Sequence, residues 1–322
     1  MTRTFVPGTQ GKMPNTFVDT QVVDGVATLS IHRPQAGNAL NRALLEQLRG
    51  ALGRVVADPE ARAIVVAAAG NRFVSGADVG FFVRCLDRQD VPAIVDCIRA
   101  SQEVFAAVAD CPKPVVAAVQ GAAVGGGVEL ALACHRIVTT PRASFSFPET
   151  SLGILPFSGG TYRTPRRIGA ALTKWLIYAG HILAPPKAVK LGLVDQLVMP
   201  HELPAAATAL ARSLADSGSD WKPVAATIAP EFAALEALFG GVRAAELQRI
   251  ELPADRIVAA AVRAVAARPL VALERSEALI DRALSVTANE GAAAALAVVP
   301  ELFASAGVYE KLMEAARLQQ EP

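Results

Sequence analysis

A short apolar run that leads through a glycine-rich turn into a helix limits this chain more than any other feature. Val115 to Val119 reads as a buried strand, Gly125-Gly126-Gly127 follows, and VELALAC (residues 128–134) continues as helix. Glycines at a helix start let a ligand approach backbone N–H groups that have no intrahelical partner. The helix dipole adds positive potential at the same point. Such a turn suits a phosphate or a developing oxyanion.

The surrounding pattern alternates strand and helix. Thr16 to His32 reads as two strands joined at Asp24-Gly25, a strong hairpin signal, with Arg33-Pro34 ending the second. Asn38 or Asn41 is placed to cap a helix with Leu44, Leu45, Leu48 and Leu52 on one face. Ala63 to Ala68 is a β-branched run bounded by Gly70-Asn71, as in a buried parallel strand. A helix is predicted from about Val91 to Asp110, closed by Pro112 and Pro114. This alternation argues for α/β architecture to about residue 200. From about His201 the chain turns to Ala-rich helix. One stripe is Phe232, Leu235, Leu238 and Phe239, stopped by Gly240-Gly241; another is Ile257, Val258, Val262 and Val265. The expected divisions are a flexible leader (1–15), an α/β core (16–200) and a helical C-terminal region (201–322).

Composition removes several function classes. The 322 residues are 52% hydrophobic, which argues against disorder across the body of the chain. Lys+Arg 31 against Asp+Glu 30 gives a formal charge of +1 with no basic stripe, which disfavours nucleic acid as a partner. The longest stretch free of charge, Pro114 to Val128, is too short to span a bilayer, which needs roughly 20 apolar residues. A membrane partner is not expected. Cys85, Cys97, Cys111 and Cys134 lack CxxC spacing and read as reduced thiols of a cytoplasmic protein.

Taken singly, the candidate chemical residues are ambiguous. A dinucleotide fingerprint fails in detail, because Leu130 stands where Gly or Ala would let helix and strand pack closely. Glu129 is either a solvent-facing carboxylate favoured by the helix dipole or one aimed into the pocket that the glycines open. Glu149, in Pro-Glu-Thr, is alone an ordinary loop residue. Together, two carboxylates flanking an oxyanion-binding turn point to paired acid and base work. Phe73 to Asp78 forms a second turn after a strand, placed to give a second backbone donor.

GNRFVSGADV, PVVAAVQGAAVGGGVELALACHRI and FPETSLGILPFSGGTYRTPRRIG resemble the signature regions of the enoyl-CoA hydratase/isomerase (crotonase) superfamily. RPQAGNAL and AVKLGLVDQLV resemble two further stretches of it, in the same order. The resemblance covers about Val18 to Leu203 closely, and more weakly from about Pro269 onward. It implies the crotonase fold, a repeated ββα superhelical core with a helical C-terminal region, assembled as a homotrimer or homohexamer. Ala77 and Gly126 would supply the two N–H groups that hold an acyl-CoA thioester oxygen. Glu129 and Glu149 match the two glutamates of the hydratases, which hold and activate water, with Glu149 exchanging the α-carbon proton. Gln35, Ala36 and Gly37, and Ser75, Gly76, Asp78 and Val79, match loops that wrap the CoA adenosine. Gly125 and Phe157 complete the expected substrate contacts. No cofactor is implied beyond CoA as part of the substrate, and no metal.

Some positions depart from the pattern. A lysine common in the adenosine-facing loop is Gly80, and a basic residue often found after Arg33-Pro34 is Gln35. The resemblance therefore leaves open which side chains meet the CoA phosphates. His135 stands where many relatives have Asp and reads as structural; His32, His181 and His201 lack clustered partners. Residues from about Ser213 to Ala260 are extra relative to simple hydratases and resemble in position a helical region of the 3-hydroxyisobutyryl-CoA hydrolases. That branch usually replaces the Glu129 residue and carries Asp where Phe157 stands. Retention of both glutamates favours hydration over double-bond isomerisation or thioester hydrolysis, and over a non-catalytic, partner-binding role. The extra segment is expected to cover the acyl pocket or a subunit face.

Overall fold

The hairpin at Asp24-Gly25 forms as its sequence predicts. The computed structural model describes residues 16–218, 221 and 229–320, so the leader expected at 1–15 and part of the extra segment lie outside the described residues. Val18–Val23 (β1) pairs antiparallel with Val26–Ile31 (β2). Asp24 and Gly25 have φ of 47° and 78°, as a two-residue hairpin turn requires. Asn41 caps the helix Arg42–Ala57 (α1), its side chain accepting from Leu44 N at 2.9 Å.

Ala63–Ala68 (β3), Val115–Val119 (β5), Arg136–Thr139 (β7) and Gln196–Leu197 (β9) extend this hairpin into a six-stranded sheet ordered β1-β2-β3-β5-β7-β9. Beyond the first pair every neighbour is parallel. Both faces of the sheet are covered. Ile64, Val66, Val115 and Ala117 face the main core, while Val65, Val116 and Ala118 face Leu203, Ala207 and Ala211. Those three belong to a later helix, and this is why the central strands read as unbroken apolar runs rather than alternating ones.

A second sheet is the element that the sequence did not announce. Arg72–Val74 (β4), Ala122–Val124 (β6) and Ser144–Ser146 (β8) are three residues each and pair in parallel, in the order β4-β6-β8. The helices Val79–Asp87 (α2), Val91–Ala109 (α3) and Gly126–Ala133 (α4) are interleaved with the strands. Gly160–Ala179 (α5), Pro185–Leu191 (α6) and Leu203–Ser217 (α7) follow. The remaining chain is helical: Ala233–Gly241 (α8), Ala244–Leu247 (α9), Arg256–Ala266 (α10), Leu270–Arg282 (α11), Ala288–Ala297 (α12), Val299–Phe303 (α13) and Val308–Gln320 (α14).

The C-terminal stripes pack largely as their spacing predicts, with two differences. α8 runs through Gly240 and ends at Gly241 rather than before the glycine pair. Ile257 is exposed, because the inward face of α10 carries Val258, Val262 and Val265 with Ala259 and Ala261 and leaves Ile257 outside it. The described part of the extra segment packs on α5, Phe232 against Trp175 at 6.0 Å and Phe239 against Tyr178 at 6.3 Å between ring centroids. Its apolar residues join the main core, whereas Phe82, Phe157 and Phe303 belong to a separate cluster. Within the described residues the segment therefore closes over α5 and not over those rings. His135 is structural as expected, with Nδ1 accepting from Val115 N at 2.8 Å.

Asn38 has a role other than capping. It is fully buried with φ of 58°. Its Oδ1 accepts from Arg33 N at 2.8 Å, and its Nδ2 donates to Ala69 O at 2.8 Å and Arg72 O at 3.0 Å. It thereby ties the loop after β2 to the turn that leads into β4. Asn38→Ala leaves Arg33 N–H and Ala69 C=O without this partner, while Arg72 O keeps Gln120 Nε2 at 2.9 Å, and is expected to cost about 2 kcal/mol of stability, read as a lowered urea midpoint at unchanged slope.

Candidate active site

The three strands of the small sheet end side by side, and each delivers one part of the site. Ala77 follows β4, Gly126 follows β6 and Glu149 follows β8, all within three residues of a strand end. Ligands of open parallel sheets gather at the carboxyl ends of strands for this reason. The ladder continues into the site, since Gly125 N donates to Ser146 O at 2.8 Å.

Each of the three glycines makes room for a different neighbour. A Cβ at Gly125 would overlap Glu149 Oε1, and φ of 49° there already disfavours a side chain. A Cβ at Gly126 would stand 3.1 Å from Leu40 Cδ1 and 3.8 Å from Ala77 N. At Gly127 it would overlap the Val74 carbonyl oxygen. The run thus seats the carboxyl of Glu149, the Ala77 turn and strand β4 against one helix start.

Gly126 is the first residue of α4, so its N–H has no intrahelical acceptor. Ala77 lies in an isolated parallel bridge to Leu40 made by Leu40 N to Gly76 O (2.8 Å) and Asp78 N to Leu40 O (2.9 Å). That bridge leaves the Ala77 N–H unused. Two N–H groups on facing turns are the arrangement that polarises a carbonyl.

The carboxyls are buried and differently held. Glu129, 3% exposed, accepts at Oε1 from Ser158 N (2.7 Å) and Gly160 N (2.8 Å). Burial pushes its pKa up to about 7, against the lowering effect of these N–H groups and of Arg163. Glu149 has no such donors, and its buried Oε2 has no hydrogen-bond partner among the described residues. Burial and then the charge of Glu129 raise it well above the ordinary carboxylate range. Of the two carboxyls, Glu149 is the harder to ionise, because it lacks the N–H groups that hold Glu129 and feels the charge of Glu129. Glu129 is turned inward rather than to solvent.

The other residues expected to touch substrate are placed unevenly. Gly37 and Ser75 face each other: Ser75 N donates to Gly37 O at 3.1 Å, and the buried Ser75 Oγ has no partner among the described residues. Gly76 takes φ of 91° beside Gly126. Gln35 and Ala36 stand on the outer rim, Gln35 exposed. Asp78 is engaged by protein, its carboxylate pairing with Arg33 at 3.0 Å and capping α2 at Phe81 N. Val79 N is also taken, by a side chain of α14. Phe157 lies beside the Glu129 turn and stacks on Phe303 at 6.1 Å, while Phe303 meets Phe82 edge-on at 5.3 Å. Leu40, Ser158, Gly160, Arg163 and Phe303 were not singled out from sequence. Leu40, Ser158 and Gly160 act mainly through backbone geometry, Arg163 through its charge beside Glu129, and Phe303 sits in a helix whose pattern marks only burial.

The enoyl-CoA hydratase/isomerase family matches residues 21–231. A crotonyl-CoA hydratase from Syntrophomonas wolfei is 37% identical over 181 residues, 55% of this chain and 67% of that protein. Among solved structures, an enoyl-CoA hydratase from Rhodobacter sphaeroides superposes with a TM-score of 0.78 at 23% identity, covering 95% of this chain and 91% of that one. A carnitinyl-CoA dehydratase from Mycobacterium thermoresistibile does so at 0.80 and 20% identity, with the same coverage. These two share the fold. With its family-wide match over most of the α/β part, the chain belongs to the enoyl-CoA hydratase/isomerase family.

Proposed function

We propose that the chain hydrates the α,β double bond of a short-chain enoyl-CoA thioester, with Glu129 and Glu149 as acid–base pair and the N–H groups of Ala77 and Gly126 as oxyanion hole. The carrying observation is a buried carboxyl with one oxygen unpartnered among the described residues next to a second that is held by two N–H groups, both beside facing backbone donors. The crotonyl-CoA hydratase relative supports hydration.

In this reading the thioester oxygen accepts from Ala77 and Gly126. Ionised Glu129 takes a proton from water as the water oxygen bonds to C3. The π pair moves onto the carbonyl as an enolate, which the two donors hold more tightly than the ground-state carbonyl. Collapse of the enolate takes the proton of Glu149 at C2. One water is consumed, the thioester stays intact, and the proton gained by Glu129 returns to Glu149 before the next turnover. The same steps run backward dehydrate a 3-hydroxyacyl-CoA. The orphan Ser75 hydroxyl beside Gly37 offers the CoA moiety a polar contact. Assembly as a homotrimer or homohexamer is part of the proposal, and sedimentation of the purified chain reads it.

The rings of Phe82, Phe303 and Phe157 span the space between the helix that follows the Ala77 turn and the turn that holds Glu129. All three are nearly buried against one another. In this reading the three rings form the wall that limits the length of the acyl chain.

The first test is a panel of enoyl-CoA esters, following loss of the conjugated thioester absorbance and product mass. Addition of one water with the thioester intact is expected. Free thiol would establish hydrolysis instead, and a moved double bond at unchanged mass would establish isomerisation. Glu149→Gln is expected to lower kcat by about 10²–10⁴-fold in a folded protein; near-wild-type turnover would remove Glu149 from the mechanism. Phe303→Ala is expected to raise kcat/KM for eight-carbon over four-carbon enoyl-CoA by about tenfold, since each methylene accommodated in an apolar pocket is worth roughly 1 kcal/mol or more.

Stability gives an independent check. Both carboxyls bind protons more tightly in the folded chain than in the unfolded one, where the ordinary value is 4.5. Their protonated forms therefore favour folding fully below about pH 4.5, and that contribution is lost as pH rises through about 7. Glu149→Gln removes one share of this loss. The mutant's urea midpoint relative to wild type is expected to rise between pH 5 and pH 8.

A further inference from the structure

The parallel bridge between Leu40 and Ala77 has a consequence for the edge it leaves open. It binds the peptide groups on either side of Ala77 through Gly76 O and Asp78 N. In such a bridge the residue's own N–H and C=O both leave on the side away from the partner strand. The Ala77 carbonyl therefore lies on the same edge as the N–H that faces the thioester oxygen. Unoccupied, its oxygen would turn negative charge toward a developing oxyanion, and a half-buried carbonyl would lack an acceptor's partner.

Gln319 removes both problems. Its Nε2 donates to Ala77 O at 3.0 Å, and its Oε1 accepts from Val79 N at 3.1 Å. Val79 opens α2, so that N–H is one of the orphans of a first helical turn. A planar amide, with donor and acceptor side by side, fits this pair of backbone groups, and Gln and Asn alone among side chains carry one. Gln319 sits near the end of α14, which runs antiparallel to α2. At the other end, Tyr309 Oη donates to Asp87 Oδ1 at 2.7 Å. Ten residues of α14 span about 15 Å and eight of α2 about 12 Å, so both ends meet without bending either helix. Between them Leu312 and Ala316 pack into the cluster that contains Phe82 and Phe157.

We infer that Gln319 is a positioning residue for the oxyanion hole, fixing the segment that presents the Ala77 N–H and occupying the neighbouring carbonyl. The inference rests on the hydratase reading, in which Ala77 is one of the two donors. Tyr309 secures the same helix at its far end and has no contact with the turn, so it serves as the control.

The test compares wild type with Gln319→Met, Gln319→Glu and Tyr309→Phe. Two readouts are used: kcat and KM on crotonyl-CoA, and the infrared carbonyl stretch of bound butyryl-CoA labelled with ¹³C at the thioester. Butyryl-CoA is saturated and cannot be hydrated. Gln319→Met is expected to lower kcat by about 10- to 100-fold, less than the loss of a whole oxyanion donor, with KM changed less than about threefold. It is expected to lose part of the carbonyl shift that wild type induces, while Tyr309→Phe keeps both. Gln319→Glu keeps the acceptor for Val79 and places a second negative oxygen at Ala77 O. Its kcat deficit is expected to shrink as pH falls, because the protonated carboxyl regains the donor. The inference is overturned if Gln319→Met keeps kcat within twofold, if its carbonyl shift equals that of wild type, or if Gln319→Glu shows a deficit independent of pH. A wild type that hydrates crotonyl-CoA but induces no carbonyl shift would overturn the oxyanion hole itself. A wild type that leaves crotonyl-CoA unhydrated would overturn the hydratase reading.

Discussion

Two carboxyl groups buried within reach of each other cannot both be charged, and the arrangement of this protein follows from holding them there. Glu129 is tolerable as an anion because two backbone N–H groups converge on one of its oxygens. The buried Oε2 of Glu149 has no partner among the described residues, and burial beside Glu129 raises its pKa. The proposed division of acid and base work rests on this asymmetry. It also requires close backbone approach on every side, which the glycines at 125, 126 and 127 permit.

The strands and helices of the first 200 residues were largely legible because local signals agreed with tertiary ones. Asp24-Gly25 turned where it should, and the boundaries of β3 and β5 fall at the ends of their β-branched runs. The two glutamates and the glycine turn carried enough pattern to be singled out before any fold was known. The small sheet was not legible. Strands of three residues leave too little periodicity to register, and their meaning lies in being parallel neighbours. Asn38 was misread for a related reason: its type fits a cap, yet its three hydrogen bonds go to residues up to 34 positions away. Ile257 fits a helical stripe by spacing and is exposed, because the stripe that packs is narrower than the one that is apolar.

The helical C-terminal region does two separate jobs. α8 and its neighbours bury apolar surface against α5, and Arg243 and Ala244 add a clasp by meeting the buried Glu277 of α11 through Nη2 and N–H at 3.2 and 3.1 Å. α13 and α14 turn to the catalytic side, where Phe303 and Gln319 touch elements laid down early in the chain. The described part of the extra segment packs with the main core and not with the cluster of Phe82, Phe157 and Phe303.

The hydrogen bonds of Gln319 join residues 240 and 242 positions apart. Contacts so distant in sequence wait on closure of a very long loop, whereas the β2–β3 and β3–β5 pairings need far shorter ones. A chain emerging from a ribosome meets these partners in order, with the sheets available long before the last helix. On that order the turn at Ala77 gains the tether of Gln319 only when α14 docks on α2, together with the apolar residues that α13 and α14 bring to the cluster around Phe82.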